Sequence, residues 1–145
     1  MAFGRGFKKE KGNKYKNKKV EYDGIKFDSV REKDRYVFLK DAESKGVIMN
    51  LQVHKKFELI PSVKEKYVKH LKTKDKECER TLQLPITYTC DFCYVKDGGE
   101  VVVEDIKISK FLLPKEYVLK KKMMLALKGI KIKEIYKPNE PVGNV

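Results

Sequence analysis

Val101-Val102-Val103-Glu104-Asp105-Ile106-Lys107 is the stretch on which the fold turns. Its β-branched run predicts a strand, and successive side chains of a strand point to opposite faces. Asp105 and Lys107 therefore share one face with Val101 and Val103, while Val102, Ile106 and Ile108 take the other. A strand that is apolar on both faces belongs in the interior of a sheet. An Asp and a Lys at the end of such a strand are costly to bury unless they are paired or bound to something.

The residues just upstream supply a partner. Asp97-Gly98-Gly99 is a hairpin turn signal, so the segment Leu82 to Val95, rich in Thr, Tyr and Phe, should run antiparallel beside Glu100 to Ile108. Seven residues on either side of Gly98 lie Asp91 and Asp105, which a cross-strand pair would set about 5 Å apart at Cβ. Two facing carboxylates repel, and Mg²⁺, which takes oxygen ligands, relieves them. Asp91 and Asp105, with the backbone carbonyl of Ile106, would hold the ion, which polarises a phosphate and acidifies a bound water. Lys107 would orient that water and offset transition-state charge. Glu32 would complete the shell directly or through water. The plainer alternative is a surface Asp105–Lys107 pair with Asp91 solvated.

Around this centre the chain reads as helix, strand, two-strand hairpin, helix, strand. Tyr22 to Ser29 holds an Asp23-Gly24 turn between short alternating segments. A helix starts at Ser29, where Ser29 and Glu32 have capping-box spacing, and runs to Gly46. Val47 to Ile60 is β-like and closed by Pro61. Ser62 to Arg80 carries seven Lys or Arg and four acids, and an extended hairpin, a short helix and a loop all fit it. Pro114 opens a second helix that Gly129 ends, and Ile130 to Tyr136 is the last strand.

The 145 residues, 41% hydrophobic, suffice for one core. We read residues 20–137 as one domain between a basic arm, 1–19, and a tail, 138–145. The arm carries eight Lys or Arg against Glu10, with hardly an aliphatic residue, and should be flexible by itself. Lys14, Lys16, Lys18 and Lys19 make it a phosphate-binding tail or a solvated terminus. The formal charge of +13 favours a polyanionic partner, nucleic acid first. No apolar run approaches a membrane span and no secretory signal is visible, so a soluble protein of the cytoplasm, with no membrane partner, is expected. Cys78, Cys90 and Cys93 read as free thiols.

Glu32, Tyr88, Asp91, Phe92, Tyr94 and the run Val103 to Lys107 together resemble the PD-(D/E)xK nuclease superfamily. More narrowly they resemble its small phage-encoded proteins once filed as a domain of unknown function. The resemblance covers about residues 20 to 137. It implies a restriction-endonuclease-like α/β (α+β) fold, an α-β-β-β-α-β core with a mixed sheet flanked by helices. It also implies a DNA endonuclease dependent on Mg²⁺ or Mn²⁺, with Holliday junctions or phage recombination and packaging intermediates as branched substrates. Carried onto this chain, the motif aspartate is Asp91, the second acid Asp105, the lysine Lys107 and the helix glutamate Glu32. A two-fold substrate suits a homodimer, by analogy. No proline precedes Asp91, and Ile108-Ser109 stands where close relatives would carry glycine.

Glu104 points away from Asp105 and is assigned to packing, a helix contact or the surface. Gln52 and His54 should point the same way from one strand, toward DNA, the site or solvent. Cys90 and Cys93, an odd distance apart, should face opposite sides of a strand, which disfavours shared zinc. Lys120, Lys121 and Lys122 sweep about 200° of the second helix, so at least one leaves its buried face, for phosphate or for solvent. Two rival functions are a sequence-specific or end-processing nuclease and a non-catalytic basic nucleic-acid-binding protein. A weaker third is an RNA-binding protein of the translation machinery.

Overall fold

A computed structural model describes residues 18–142. Two short strands, β1 (Val20–Tyr22) and β2 (Ile25–Phe27), pair about Asp23 and Gly24, whose φ values of 54° and 72° are those of a tight hairpin turn. Tyr36 fastens this hairpin to the first helix, α1 (Val30–Ser44), by donating its hydroxyl to Asp23 at 2.7 Å. After α1 come β3 (Ile48–Val53), β4 (Lys56–Ile60), β5 (Val63–His70), β6 (Asp75–Gln83), β7 (Ile86–Thr89), β8 (Phe92–Lys96), β9 (Val101–Ile106), α2 (Lys115–Lys128) and β10 (Lys133–Ile135).

The central sheet has the order β10-β9-β8-β3, with β10 parallel to β9 and the other pairs antiparallel. Alternate residues of its strands feed two cores. Phe92, Tyr94 and Val102 pack with Tyr36, Leu39 and Ala42 of α1, while Cys93 and Val103 pack with Tyr117 and Met124 of α2. The sheet is thus sandwiched by the helices, and α1, β3, β8, β9, α2, β10 follow one another in the order α-β-β-β-α-β. This is the expected mixed-sheet α/β class. α2 ends at Gly129, whose φ of 66° and N–H to Leu125 O (3.1 Å) make the left-handed helix stop that glycine allows.

Glu104 is fully buried on the α1 side. Arg35 grips it with Nε–Oε2 2.8 Å and Nη2–Oε1 2.6 Å, and the Tyr94 hydroxyl adds a donor at 2.5 Å. Arg35 also donates to the carbonyls of Pro138 and Glu140, so one guanidinium ties helix, sheet and C-terminal segment together. Removing either charge would strand the other in the core.

The two long strands expected over 47–60 and 82–95 are each broken, and the breaks coincide. On one side Asn50 and His54 take φ values of 56° and 53°, and on the other Cys90 and Asp91 lie between β7 and β8. His54 N–H bonds Asp91 O at 3.1 Å and Cys90 N–H bonds Lys55 O at 3.0 Å, so the pairing bends without parting. Beyond the bend β4 pairs with β7, and beyond Pro61 and Pro85, which lack ladder donors, β5 pairs with β6. The charged segment is therefore a β-hairpin, closed around Leu71–Lys74, at the far end of a two-stranded ribbon. Cross-strand pairs Arg80–Glu65, Lys64–Glu79 and His70–Asp75 stitch it, and the Arg80 guanidinium lies over the Tyr67 ring.

The break corrects a further expectation. Cys90 and Cys93 do not face opposite sides, because strand alternation does not run through Asp91, and both are buried in the α2-side core. Burial pushes the Cys90 thiol up to about 12.

Candidate active site at the end of the central strand

Strand β9 lies between two neighbours, and its C-terminal end supplies the first two charged groups. The register Phe92↔Glu104 sets Asp91 across from Asp105, and the Ile106 N–H donates to Asp91 Oδ2 at 2.7 Å. Asp105, buried on the α2 side, has both oxygens engaged. Lys107 Nζ lies 2.9 Å from Oδ1, and the Tyr88 hydroxyl donates to Oδ2 at 2.5 Å. The Lys107 ammonium also stands 3.7 Å from the centre of the Tyr117 ring, a cation–π contact that holds it beside the carboxylate.

Glu32 arrives from the first turn of α1. Ser29 Oγ accepts the Glu32 N–H (3.2 Å), and the Glu32 carboxylate reaches back to the Asp28 N–H (3.2 Å), so the helix cap holds the carboxylate in place. His54, carried by the bend in the ribbon, completes the group. Ligand atoms of Glu32, His54 and Asp91 all lie within 4.8 Å of one another.

The electrostatics follow from this crowding. Burial, then Asp105, then Glu32 raise the Asp91 carboxyl above its ordinary range, against the opposing Ile106 N–H. Burial also raises Glu32, and the neighbouring His54 works the other way. Burial, followed by the adjacent Asp105, keeps Tyr88 protonated as a donor. Burial first, then Asp105 and Glu134, push the Tyr117 hydroxyl up, and it has no hydrogen-bond partner among the described residues. Clustered acids and an imidazole fit a hydrated divalent cation. An open cleft of 510 Å³ borders the cluster, with Glu32, Ile106 and Lys107 in its wall beside Lys18, Arg31 and Pro114.

The family described as "Protein of unknown function (DUF1064)" matches residues 12–138. The chain belongs to the DUF1064 family. No curated protein and no solved structure matches it.

In this DUF1064 chain the structure brings together Glu32, Asp91, Asp105, Ile106 and Lys107. Asp105 adjoins the close group of three through Asp91, with its oxygens turned to Lys107 and Tyr88. Gln52 and His54 were expected on one strand face. Gln52 stays in β3 opposite Cys93, whereas His54 leaves the strand in a left-handed conformation and joins Asp91. Lys18 lines the cleft and Lys19 is exposed, while Lys14, Lys16 and the rest of the arm through residue 17 lie outside the described residues. The α2 triplet divides, because Lys120 pairs with Glu116, Lys121 bonds Glu134, and Lys122 is exposed. Among the described residues no helix is long and apolar enough to cross a membrane.

Tyr88, Tyr117 and Arg31 were missed as site residues. Tyr88 appears in the motif that carries the resemblance, but its bond to Asp105 depends on the break at Cys90–Asp91. Tyr117 reads first as a core or helix-packing residue, and only the Lys107 ammonium over its ring ties it to the site.

Proposed function

We propose that this protein is a divalent-metal-dependent DNA endonuclease, selective for branched structures such as four-way junctions. The observation that carries the reading is the convergence of Asp91, Asp105, Lys107 and Glu32 at one end of the central strand, opening on a cationic cleft. A bound Mg²⁺ or Mn²⁺ would polarise the scissile phosphate and acidify a coordinated water. Asp91 and Glu32 supply carboxylate oxygens for the ion, and the Ile106 N–H fixes the Asp91 rotamer. Asp105, held by Tyr88, positions Lys107. Lys107 would orient the water and offset the negative charge that develops on the phosphate. Lys18 and Arg31 present cations to a phosphate in the cleft.

Selectivity for shape rather than sequence is the economical choice, since among the described residues no element resembles a base-reading helix, and phosphate contacts position without specifying. The homodimer expected from a two-fold substrate belongs to this proposal.

One observation favours a second reading. Asp105 is satisfied by Lys107 and Tyr88, and Glu32 by the α1 cap, as in a structural cluster beneath a non-catalytic nucleic-acid-binding surface. Incubation of four-way-junction DNA with purified protein in Mg²⁺, Mn²⁺ or EDTA separates the two. The nuclease reading expects strand breaks in metal only, and salt-sensitive binding without breaks in any metal supports the rival.

A further inference from the structure

We propose that His54 is a direct ligand of the metal ion, making this a mixed nitrogen and oxygen site that selects Mn²⁺ over Mg²⁺. The inference rests on the nuclease reading for the role of the ion, and on the geometry alone for its presence.

Three observations converge on His54. Its ring nitrogen, an Asp91 oxygen and a Glu32 oxygen all fall within 4.8 Å of one another, the spacing of donors around one cation. The His54 N–H is bonded to Asp91 O at 3.1 Å, so backbone pairing couples the imidazole to the carboxylate it would share the ion with. And His54 adopts a φ of 53°, a conformation in which a non-glycine residue is uncommon and which takes it out of the β3 face on which Gln52 stays. The exposed edge of this group meets solvent at His54, where an ion could enter.

The donor set decides which ion. Mg²⁺ demands near-octahedral oxygen coordination and keeps most of its waters, so an imidazole is a poor ligand for it. Imidazole favours first-row transition ions, and carboxylates accept Mn²⁺ as readily as Mg²⁺. Two carboxylates with one imidazole therefore discriminate for Mn²⁺.

The test uses the untagged 145-residue chain, whose two histidines are then the only ones in the sample. Pulsed electron paramagnetic resonance on the Mn²⁺-loaded protein reads nitrogen coupling to the metal directly. Titration of the free Mn²⁺ signal, with Mg²⁺ as competitor, reads affinity and selectivity. His54→Asn and His54→Asp suit the left-handed backbone, and circular dichroism checks their folding. Loss of an outer partner of a metal ligand costs about 10- to 100-fold in affinity. His54→Asn should accordingly abolish the nitrogen coupling and weaken Mn²⁺ by on the order of 100-fold. His54→Asp should lack the coupling yet bind Mg²⁺ better than the wild type. His70→Asn, at the ribbon tip, should keep the wild-type signal.

No nitrogen coupling in the wild type, or coupling that survives in His54→Asn, overturns the proposal. DNA cleavage run in parallel separates the two claims. Coupling that depends on His54 without cleavage in any metal supports the ligand and refutes the nuclease. Cleavage in limiting Mn²⁺ indifferent to His54→Asn supports the nuclease and overturns the ligand.

Discussion

Replacing Asp91 with Asn should stabilise the metal-free protein while destroying its ability to bind metal. Asp91 is mostly buried and faces Asp105 and Glu32, and burial followed by these two charges raises its carboxyl. Each unit of such a rise costs the ionised form about 1.4 kcal/mol. Ionising a largely buried carboxylate that faces another costs on the order of 3 kcal/mol at pH 8. Asn removes that charge and still offers an oxygen to the Ile106 N–H. At about 2–4 °C per kcal/mol for a chain of this size, the variant should melt roughly 6–12 °C higher in EDTA. The sign of the pH dependence is fixed as well. The folded carboxyl lies above its unfolded value of 3.8, so the stability that comes with protonation is complete below that value and lost as pH rises through the folded one. The advantage of Asn should therefore be greatest at pH 8 and shrink on acidification. Thermal melts in EDTA from pH 5 to 9, repeated with saturating Mn²⁺, measure all of this. Metal should raise the wild-type midpoint and leave the variant unmoved. An Asp91→Asn protein less stable than wild type at pH 8 in EDTA would refute the carboxylate repulsion that a metal ion is expected to relieve.

Other positions give sharper separations of role. Tyr88→Phe removes the donor to a buried carboxylate oxygen and should destabilise by about 1.5–3 kcal/mol, with cleavage reduced, as denaturant melts and single-turnover assays would register. Glu104→Gln breaks the Arg35 grip on the opposite face and should cost about 3–5 kcal/mol, yet titration of the folded fraction should find Mn²⁺ affinity unchanged. Lys107→Ala should retain Mn²⁺ by the same titration while cleavage falls on the order of 10²-fold or more. Exchanging Lys69, Lys72, Lys74 and Lys76 at the ribbon tip for Gln should flatten the salt dependence of DNA binding by about 0.9 for each phosphate no longer neutralised. An unchanged slope would place the ribbon away from DNA.

Much of the core was legible because short-range rules govern it. The Asp97-Gly98-Gly99 turn sets the β8–β9 register, and that register brings Asp91 to Asp105 whatever the rest of the chain does. The capping box at Ser29 and Glu32 and the stops at Gly46 and Gly129 bounded the helices in the same local way. What stayed hidden depends on two strands bending together. Nothing in 47–60 or 82–95 alone announces that His54 and Asp91 share a kink, and without it alternation misplaces His54, Cys90 and Cys93. The β5–β6 hairpin was equally closed to reading, since its residues are charged on both faces and carry no periodicity. Arg35 likewise hid among the polar residues of α1, because its partner Glu104 lies 69 positions away.

Cleavage of labelled four-way junction, flap and linear duplex DNA in Mg²⁺, Mn²⁺ or EDTA, beside Asp91→Asn and Lys107→Ala, tests the central claim most directly. The predicted result is cutting of the junction in metal alone, lost in both variants while binding persists. Folded protein that binds the junction and cuts none of the three substrates in either metal would contradict it.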